Sequence, residues 1–259
     1  MNLELEGLVA AVTGGSEGIG RAIAETLARE GCDVAIGARR ADVLEHAASS
    51  IATSTGRRIC PIVTDVGNPA EAQSFIDTTV EEFSRLDILI NNAGGPGAHR
   101  FDGASDETWE LDLNVKLFGM IRCSRAAIPH LQRTMGSIVN ITSIGGREPA
   151  RASVPTSVTR AAGIALTKAL SKDYADAGVR INTVMLGSIE STQWQRRWEA
   201  TDPQDTLEEF YALAAQPIPL GRIGKAEEVA DLVAFLVSSR ASYITGTAIA
   251  IDGGLSNSV

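Results

Sequence analysis

Short runs dense in β-branched and apolar residues alternate along the chain with longer stretches whose apolar positions recur every three or four residues. LVAAVTG, DVAIGA, RICPIVTD, LDILINNAG, GSIVNITS, VRINTVML and GTAIAIDGG are the short runs, and polar residues or glycine bound them. Apolar runs of that length predict buried strands, whereas GRAIAETLARE, AEAQSFIDTTVEEFSR and AEEVADLVAFLVSSR carry the period of amphipathic helices. Strict alternation of strand and helix implies right-handed crossovers. The expected fold class is therefore α/β: a doubly wound parallel seven-stranded sheet between two helical layers, a three-layer α/β/α sandwich.

One stretch breaks the rhythm. Residues 188–219, SIESTQWQRRWEATDPQDTLEEFYALAAQPIP, lie between the sixth strand and the last helix and are too long for an ordinary connection. Trp194 and Trp198 are four apart, and Leu207, Phe210, Tyr211 and Ala214 follow helical spacing, so one or two short helices are expected. The segment is either a lid over a pocket or a fixed packing or interface element. No repeat, low-complexity tract or Pro/Gly/Ser linker interrupts the 259 residues, which reads as a single domain over 1–259.

Charge and cysteine usage narrow the partners. Lys and Arg number 23 against 32 Asp and Glu, a formal net charge of −9, and the basic residues form no long run. That balance argues against a nucleic-acid or anionic-membrane surface and leaves a small-molecule partner. Cys32, Cys60 and Cys123 are odd in number and widely spaced, so neither a disulfide framework nor a metal cluster is expected, and His46, His99 and His130 show no metal-ligand spacing. The opening MNLELEG has two glutamates and no basic run, and apolar stretches stay short of a membrane span, so a cytoplasmic setting is expected.

The chemistry starts at TGGSEGIG, Thr13 to Gly20, between the first strand and its helix. Glycines there let the backbone turn sharply and approach a pyrophosphate, which the amide groups of a helix N-terminus then meet. With NNAG at Asn91 to Gly94, ITS ending at Ser143, and the closing YITGTAIAIDGG, the chain resembles the short-chain dehydrogenase/reductase family over essentially its whole length, in a subgroup like the ketoacyl reductases. The resemblance implies a Rossmann-type sheet of strand order 3-2-1-4-5-6-7, a nicotinamide cofactor and a homodimer or homotetramer.

It also implies roles for particular residues. Thr13, Gly14, Ser16, Gly18, Ile19 and Gly20 would surround the pyrophosphate, and Asp65 and Val66 the adenine. Asn92, Ala93 and Gly94 would line the cleft, and Gly187, Ile189 and Ser191 would lie at the nicotinamide, with Leu186 where a proline is usual. The plainer alternatives are a turn-capping carboxylate for Asp65 and a polar strand end for Asn91 and Asn92. Cofactor choice is read at VAIGARR, where Ala38 is followed by Arg39 and Arg40 in place of the acidic residue that binds a ribose 2′-hydroxyl. Guanidinium groups fork onto a phosphate, which favours NADP and leaves NAD open. Against this, Glu17 sits in the glycine loop where a second base is common, and Arg39 could instead cap the next helix.

Family members usually carry a tyrosine, a lysine four residues later, a serine, and an asparagine on the preceding long helix. The resemblance places the asparagine at Asn114 in LDLNVKLFG and the serine at Ser143. Thr156 and Arg160 stand in the tyrosine and lysine places of VPTSVTRAAGIALTKAL. Tyr174, Tyr211 and Tyr243 are the chain's tyrosines, and Tyr174 lies about 21 Å beyond Arg160 along a helix. An aliphatic hydroxyl such as Thr156 donates a hydrogen bond but hardly a proton, while Arg160 keeps a charge for ribose hydroxyls and passes no proton.

His99, in the loop after the fourth strand, is either a substitute acid at the substrate or a solvated loop residue. Trp194 is either an apolar wall for substrate or packing, and Arg147 binds a substrate carboxylate or a helix end. The expected function is hydride transfer from NADPH to a small apolar ketone, 3-oxoacyl or imine-type substrate at an atypical site. An inactive NADP(H)-binding relative, acting as sensor or partner subunit, is the alternative.

Overall fold

Strand β1 (Val9–Thr13) is buried at all of its positions, a pattern that requires a central place in a sheet covered on both faces. The computed structural model describes residues 2–200 and 205–258. The other strands are β2 (Asp33–Ala38), β3 (Ile59–Val63), β4 (Ile88–Asn91), β5 (Ala98–His99), β6 (Ser137–Ser143), β7 (Val154–Pro155), β8 (Arg180–Leu186) and β9 (Ala248–Ile251). The helices are α1 (Gly18–Arg29), α2 (Ala41–Thr55), α3 (Pro69–Phe83), α4 (Asp106–Leu113), α5 (Gly119–Thr134), α6 (Thr156–Asp173), α7 (Thr192–Glu199), α8 (Leu207–Ala215) and α9 (Ala226–Val237).

Seven strands form one sheet in the order β3-β2-β1-β4-β6-β8-β9, and every pairing in it is parallel. Without the two-residue strands, this is the expected order 3-2-1-4-5-6-7. Strands β5 and β7 escape a reading of periodicity because two residues have none; they pair antiparallel with each other, Ala98 against Pro155 and His99 against Val154. Two apolar layers result. Ile23, Leu27, Leu44 and Val233 of α1, α2 and α9 pack on one face of the sheet, and Phe75, Ile76, Cys123 and Leu131 of α3 and α5 on the other.

Local chemistry sets the helix ends that matter for the site. Asn68 accepts hydrogen bonds from Ala70 N and Glu71 N, with Pro69 at the first helical position of α3. Helix α4 does not stop at Leu113. A π-turn over Asn114–Phe118 joins it to α5 without a break in right-handed geometry, and this wider turn changes which residues face inward. In the 188–219 segment, α7 and α8 are the two short helices, and residues 201–204 lie outside the described residues. Ala215, Ile218 and Ile223 form a small apolar cluster that anchors its end.

A buried chain of amides and hydroxyls holds the sheet to α6. Asn91 Nδ2 donates to Asn140 Oδ1 at 2.8 Å and to Ser124 Oγ at 3.0 Å, and Asn140 Nδ2 donates to Thr167 Oγ1 at 2.8 Å. Thr167 and Thr183 share a hydrogen bond of 2.6 Å, so β4, β6, β8, α5 and α6 meet through polar groups that water does not reach. Asn140→Leu removes the acceptor for Asn91 and the donor to Thr167. Because an unpaired buried group costs about 1–3 kcal/mol, the urea midpoint of the variant is expected to fall accordingly; an unchanged midpoint would show that the chain is not cooperative with the fold.

Candidate active site

The C-terminal ends of β1 and β4 are locked together by the residues of the glycine loop. Thr13 Oγ1 accepts from Asn92 N at 3.0 Å and Ala93 N at 3.1 Å, and Asn92 Nδ2 donates to Thr13 O and Gly14 O at 3.0 and 3.2 Å. A β-carbon at Gly20 would stand 2.1 Å from Gly14 O, so no other residue lets α1 start this close to the loop. Glu17, at the N-cap of α1, makes no side-chain cap, and an uncapped helix start is a place that can receive an anion. Ser16 is buried beneath the loop, and Ile19 is partly buried against the core.

The loop after β8 comes down on the same place. Gly187 N donates to Ile251 O at 3.0 Å, Ile189 is buried, and a β-carbon on Gly18 would lie 3.6 Å from Ser191 Cβ. From there α7 reaches two loops at once. Gln193 Nε2 donates to Gly94 O at 3.4 Å, and Arg196 Nη2 pairs with Glu17 at 3.0 Å. Glu17 also pairs with Arg40, whose neighbour Arg39 is exposed. Arg196 is a member of this cluster that no sequence motif marks. Near the expected adenine site, Asp65 Oδ1 accepts from Gly67 N at 2.8 Å, and the buried Val66 packs against Gly119.

A second cluster lies under the loop after β4, at the start of α6. Asp112 is buried, and its carboxylate accepts from Lys116 Nζ, from Thr156 Oγ1 at 3.2 Å and from Thr159 Oγ1 at 2.7 Å. Lys116 Nζ also donates to Thr156 Oγ1. Lys116 is only 4% exposed, and its charge is tolerated there because Asp112 faces it one helical turn away. Burial first and the Arg160 guanidinium second push the Lys116 ammonium down to about 8, against the opposing pull of Asp112. Arg160 Nη1 donates to Ile141 O at 2.8 Å, while its Nε is sealed from solvent and has no partner. Burial also lowers the Arg160 pKa.

Glycines bring the cleft loop onto this cluster. A β-carbon at Gly94 would stand 2.9 Å from Arg160 Nη2 and 3.7 Å from Lys116 Cγ. One at Gly97 would stand 2.3 Å from Asp112 Oδ1, 3.0 Å from Thr156 Oγ1 and 3.1 Å from Lys116 Nζ. Ser143 ends β6, and the turn after it touches the first turn of α6, where Gly146 faces Arg160. Thr156 and Arg160 are thus brought together with two residues not foreseen, Lys116 and Asp112.

Asn114 stands apart from them. Its Nδ2 donates to Gly67 O at 2.9 Å and its Oδ1 accepts from Arg122 Nη1 at 2.8 Å, so its amide faces the loop before α3. Asn114 opens the π-turn, and Asp112 and Lys116, at i,i+4 across its start, share a face, a pairing that the spacing in LDLNVKLFG already signalled. His99 is exposed on β5, and Trp194 packs edge-on against Phe210 with centroids 5.9 Å apart. Burial pushes the Cys32 and Cys123 thiols up to about 12, which removes them as nucleophiles. Among the described residues no group of side chains could hold a metal ion, and no helix is long and apolar enough to cross a membrane.

Known proteins resemble this chain over most of its length. The profile of the family described as enoyl-(acyl carrier protein) reductase matches residues 14–256. The peroxisomal 2,4-dienoyl-CoA reductase of Danio rerio is 36% identical over 95% of this chain and 80% of its own. The 3-oxoacyl-(acyl-carrier-protein) reductase of Thermotoga maritima is 32% identical over 98% of this chain and 99% of its own. Among solved structures, L-sorbose reductase of Gluconobacter frateurii, in complex with NADPH and L-sorbose, superposes with a TM-score of 0.96 at 30% identity over the full length of both chains. An NADPH-bound short-chain oxidoreductase of Pseudomonas aeruginosa, described as containing an atypical catalytic centre, superposes at 0.92 with 36% identity, covering 97% of this chain and 98% of that one. With its sheet order, its glycine loop and these relatives, the chain belongs to the short-chain dehydrogenase/reductase family and is an oxidoreductase of that family.

Proposed function

We propose that the protein is an NADP-dependent reductase of a small apolar ketone, 3-oxoacyl or imine-type substrate. The observation that carries this reading is the meeting, at the C-terminal ends of β1, β4 and β6, of a glycine cradle with a buried cluster of proton-bearing and cationic groups. Crevices outside the carboxyl ends of parallel strands are where such sheets bind dinucleotides.

The residues present fit that cofactor. Where Gly20 would collide with Gly14 O if it bore a side chain, the backbone is free to approach a pyrophosphate, and Thr13, Gly14, Ser16, Gly18 and Ile19 complete the cradle. Arg40 and Arg196 offer two guanidinium groups beside the single carboxylate of Glu17, with Arg39 alongside, so the 2′-phosphate of NADP meets net positive charge. Asp65 and Val66 would hold the adenine, and Asn92, Ala93 and Gly94 would line the cleft. Gly187, Ile189 and Ser191 would meet the nicotinamide end, and Arg160, whose guanidinium lies beside Gly94, would hold the ribose hydroxyls. When bound, the reduced nicotinamide supplies hydride. Ser143 orients the acceptor oxygen, Thr156 bridges Lys116 and Asp112 beside it, and α7 is tied to both loops through Gln193 and Arg196.

Substrate meets the cleft on the side of the apolar Trp194 and Phe210 pair, with the exposed His99 at the rim. Leu111 and Phe118, 64% and 46% exposed on the outer side of α4 and the π-turn, support self-association as a homodimer or homotetramer. Three free thiols suit a cytoplasmic setting.

Cofactor choice is tested by titrating the protein with NADPH and NADH. NADPH is expected to bind more tightly, and Arg40→Ala to remove about 1.5–3 kcal/mol of that binding, roughly ten- to a hundredfold in Kd, with NADH little affected. Equal affinities that the variant leaves equal would contradict the assignment. Turnover is tested with NADPH and a panel of apolar ketones, 3-oxoacyl thioesters and cyclic imines. NADPH oxidation with at least one class is expected, and none above the rate without substrate would end the reductase reading.

A further inference from the structure

We propose that Lys116 is the proton donor of the reduction, standing in for the missing tyrosine; this rests on the reductase reading above. The ammonium has three N–H groups. One is given to Asp112 and one to Thr156, and among the described residues no third partner is seen. Lys116 runs beneath the cleft loop, its stem beside Gly94 and its head beside Gly97, so it reaches from below the cofactor cleft to the start of α6. There the missing phenol would have been rooted, at residue 156.

Thr156 is poorly placed to do this work itself. Its oxygen accepts from Lys116 and its own proton is directed to Asp112 Oδ1 at 3.2 Å. Arg160 holds its proton far too tightly, and His99 is exposed on β5. Lys116 is different in kind: the charged groups facing it are Asp112 from α4 and Arg160 from α6, and together with burial they bring its ammonium to about 8. A general acid is most effective near the working pH.

In the step, the carbonyl carbon gains hydride from the reduced nicotinamide, and the C=O π electrons move to oxygen. That oxygen takes the proton leaving Lys116 Nζ, giving an alcohol. Lys116 is left as a neutral amine and regains a proton from solvent, while Asp112 stays ionised throughout and holds the amine in place. For this direction the rate is full below the Lys116 pKa and is lost as pH rises through about 8.

The test combines kinetics with a direct titration. Lys116, Lys168, Lys172 and Lys225 are the chain's four lysines, so the protein labelled with 13C at lysine Cε gives a spectrum in which Lys116→Arg assigns one signal. That signal is expected to titrate near 8 in the wild type, at the same pH where ketone reduction falls. Lys116→Arg keeps the charge without a transferable proton; it is expected to bind NADPH as the wild type does, to reduce the ketone roughly 10² to 10⁴-fold more slowly, and to lose the fall in rate near 8. Reduction by the variant at the wild-type rate, or a wild-type rate that ignores the titration of Lys116, would overturn the assignment while leaving the reductase reading intact. If the wild type binds NADPH and reduces no carbonyl or imine, the reductase reading fails, and the assignment with it. Should the arginine variant not bind NADPH, the wild-type comparison of rate and titration decides.

Discussion

The Asp112 carboxylate is the constraint around which the site is arranged. It is buried, and a buried carboxylate survives only when its oxygens are met by donors. Lys116, Thr156 and Thr159 provide them, from the π-turn and from two positions three apart on the first turn of α6. Removing any of these donors leaves the charge short of a partner, so the end of the α4 helix, the π-turn and the start of α6 hold one relative position. Gly97 brings the cleft loop onto the cluster because nothing larger fits beside Asp112 Oδ1. The same arrangement makes Lys116 chemically useful: desolvation weakens its hold on the proton, and Asp112 keeps that weakening moderate.

A second acidic residue plays a comparable part on the cofactor side. Glu17 would oppose a phosphate if it stood alone, but it gathers Arg40 from the end of β2 and Arg196 from α7. The segment between β8 and α9 is thereby linked to the glycine loop by charge, and to Gly94 by the Gln193 amide. Surface pairs of this kind are weak and exchangeable. That suits a place where a ligand's own charge would replace the carboxylate.

Much of this was legible in the sequence because it follows from periodicity and from glycine. The buried runs of β1, β4 and β6 and the helical spacing of α1, α3 and α9 leave little choice but a parallel sheet between two helical layers. The glycine loop and NNAG are readable since the backbone there approaches other backbone. What was hidden depends on helix phase and on long-range contact. The resemblance gave Asn114 a place in the catalytic set; in the structure its side-chain amide meets Gly67 O and Arg122, while the buried Lys116 reaches Thr156. Arg196 lies far along the chain from Glu17, and no local pattern announces such a pair. Strands β5 and β7 are too short to have a pattern.

The account stands on the coupling between Asp112 and Lys116. The most direct measurement is the titration of the Lys116 13Cε signal in Asp112→Asn beside the wild type. Removing the carboxylate removes the influence that raises the Lys116 pKa, so the midpoint is predicted to move below its wild-type position near 8. A midpoint that stays where it is in the wild type would mean that the carboxylate does not govern the lysine, and would contradict the account.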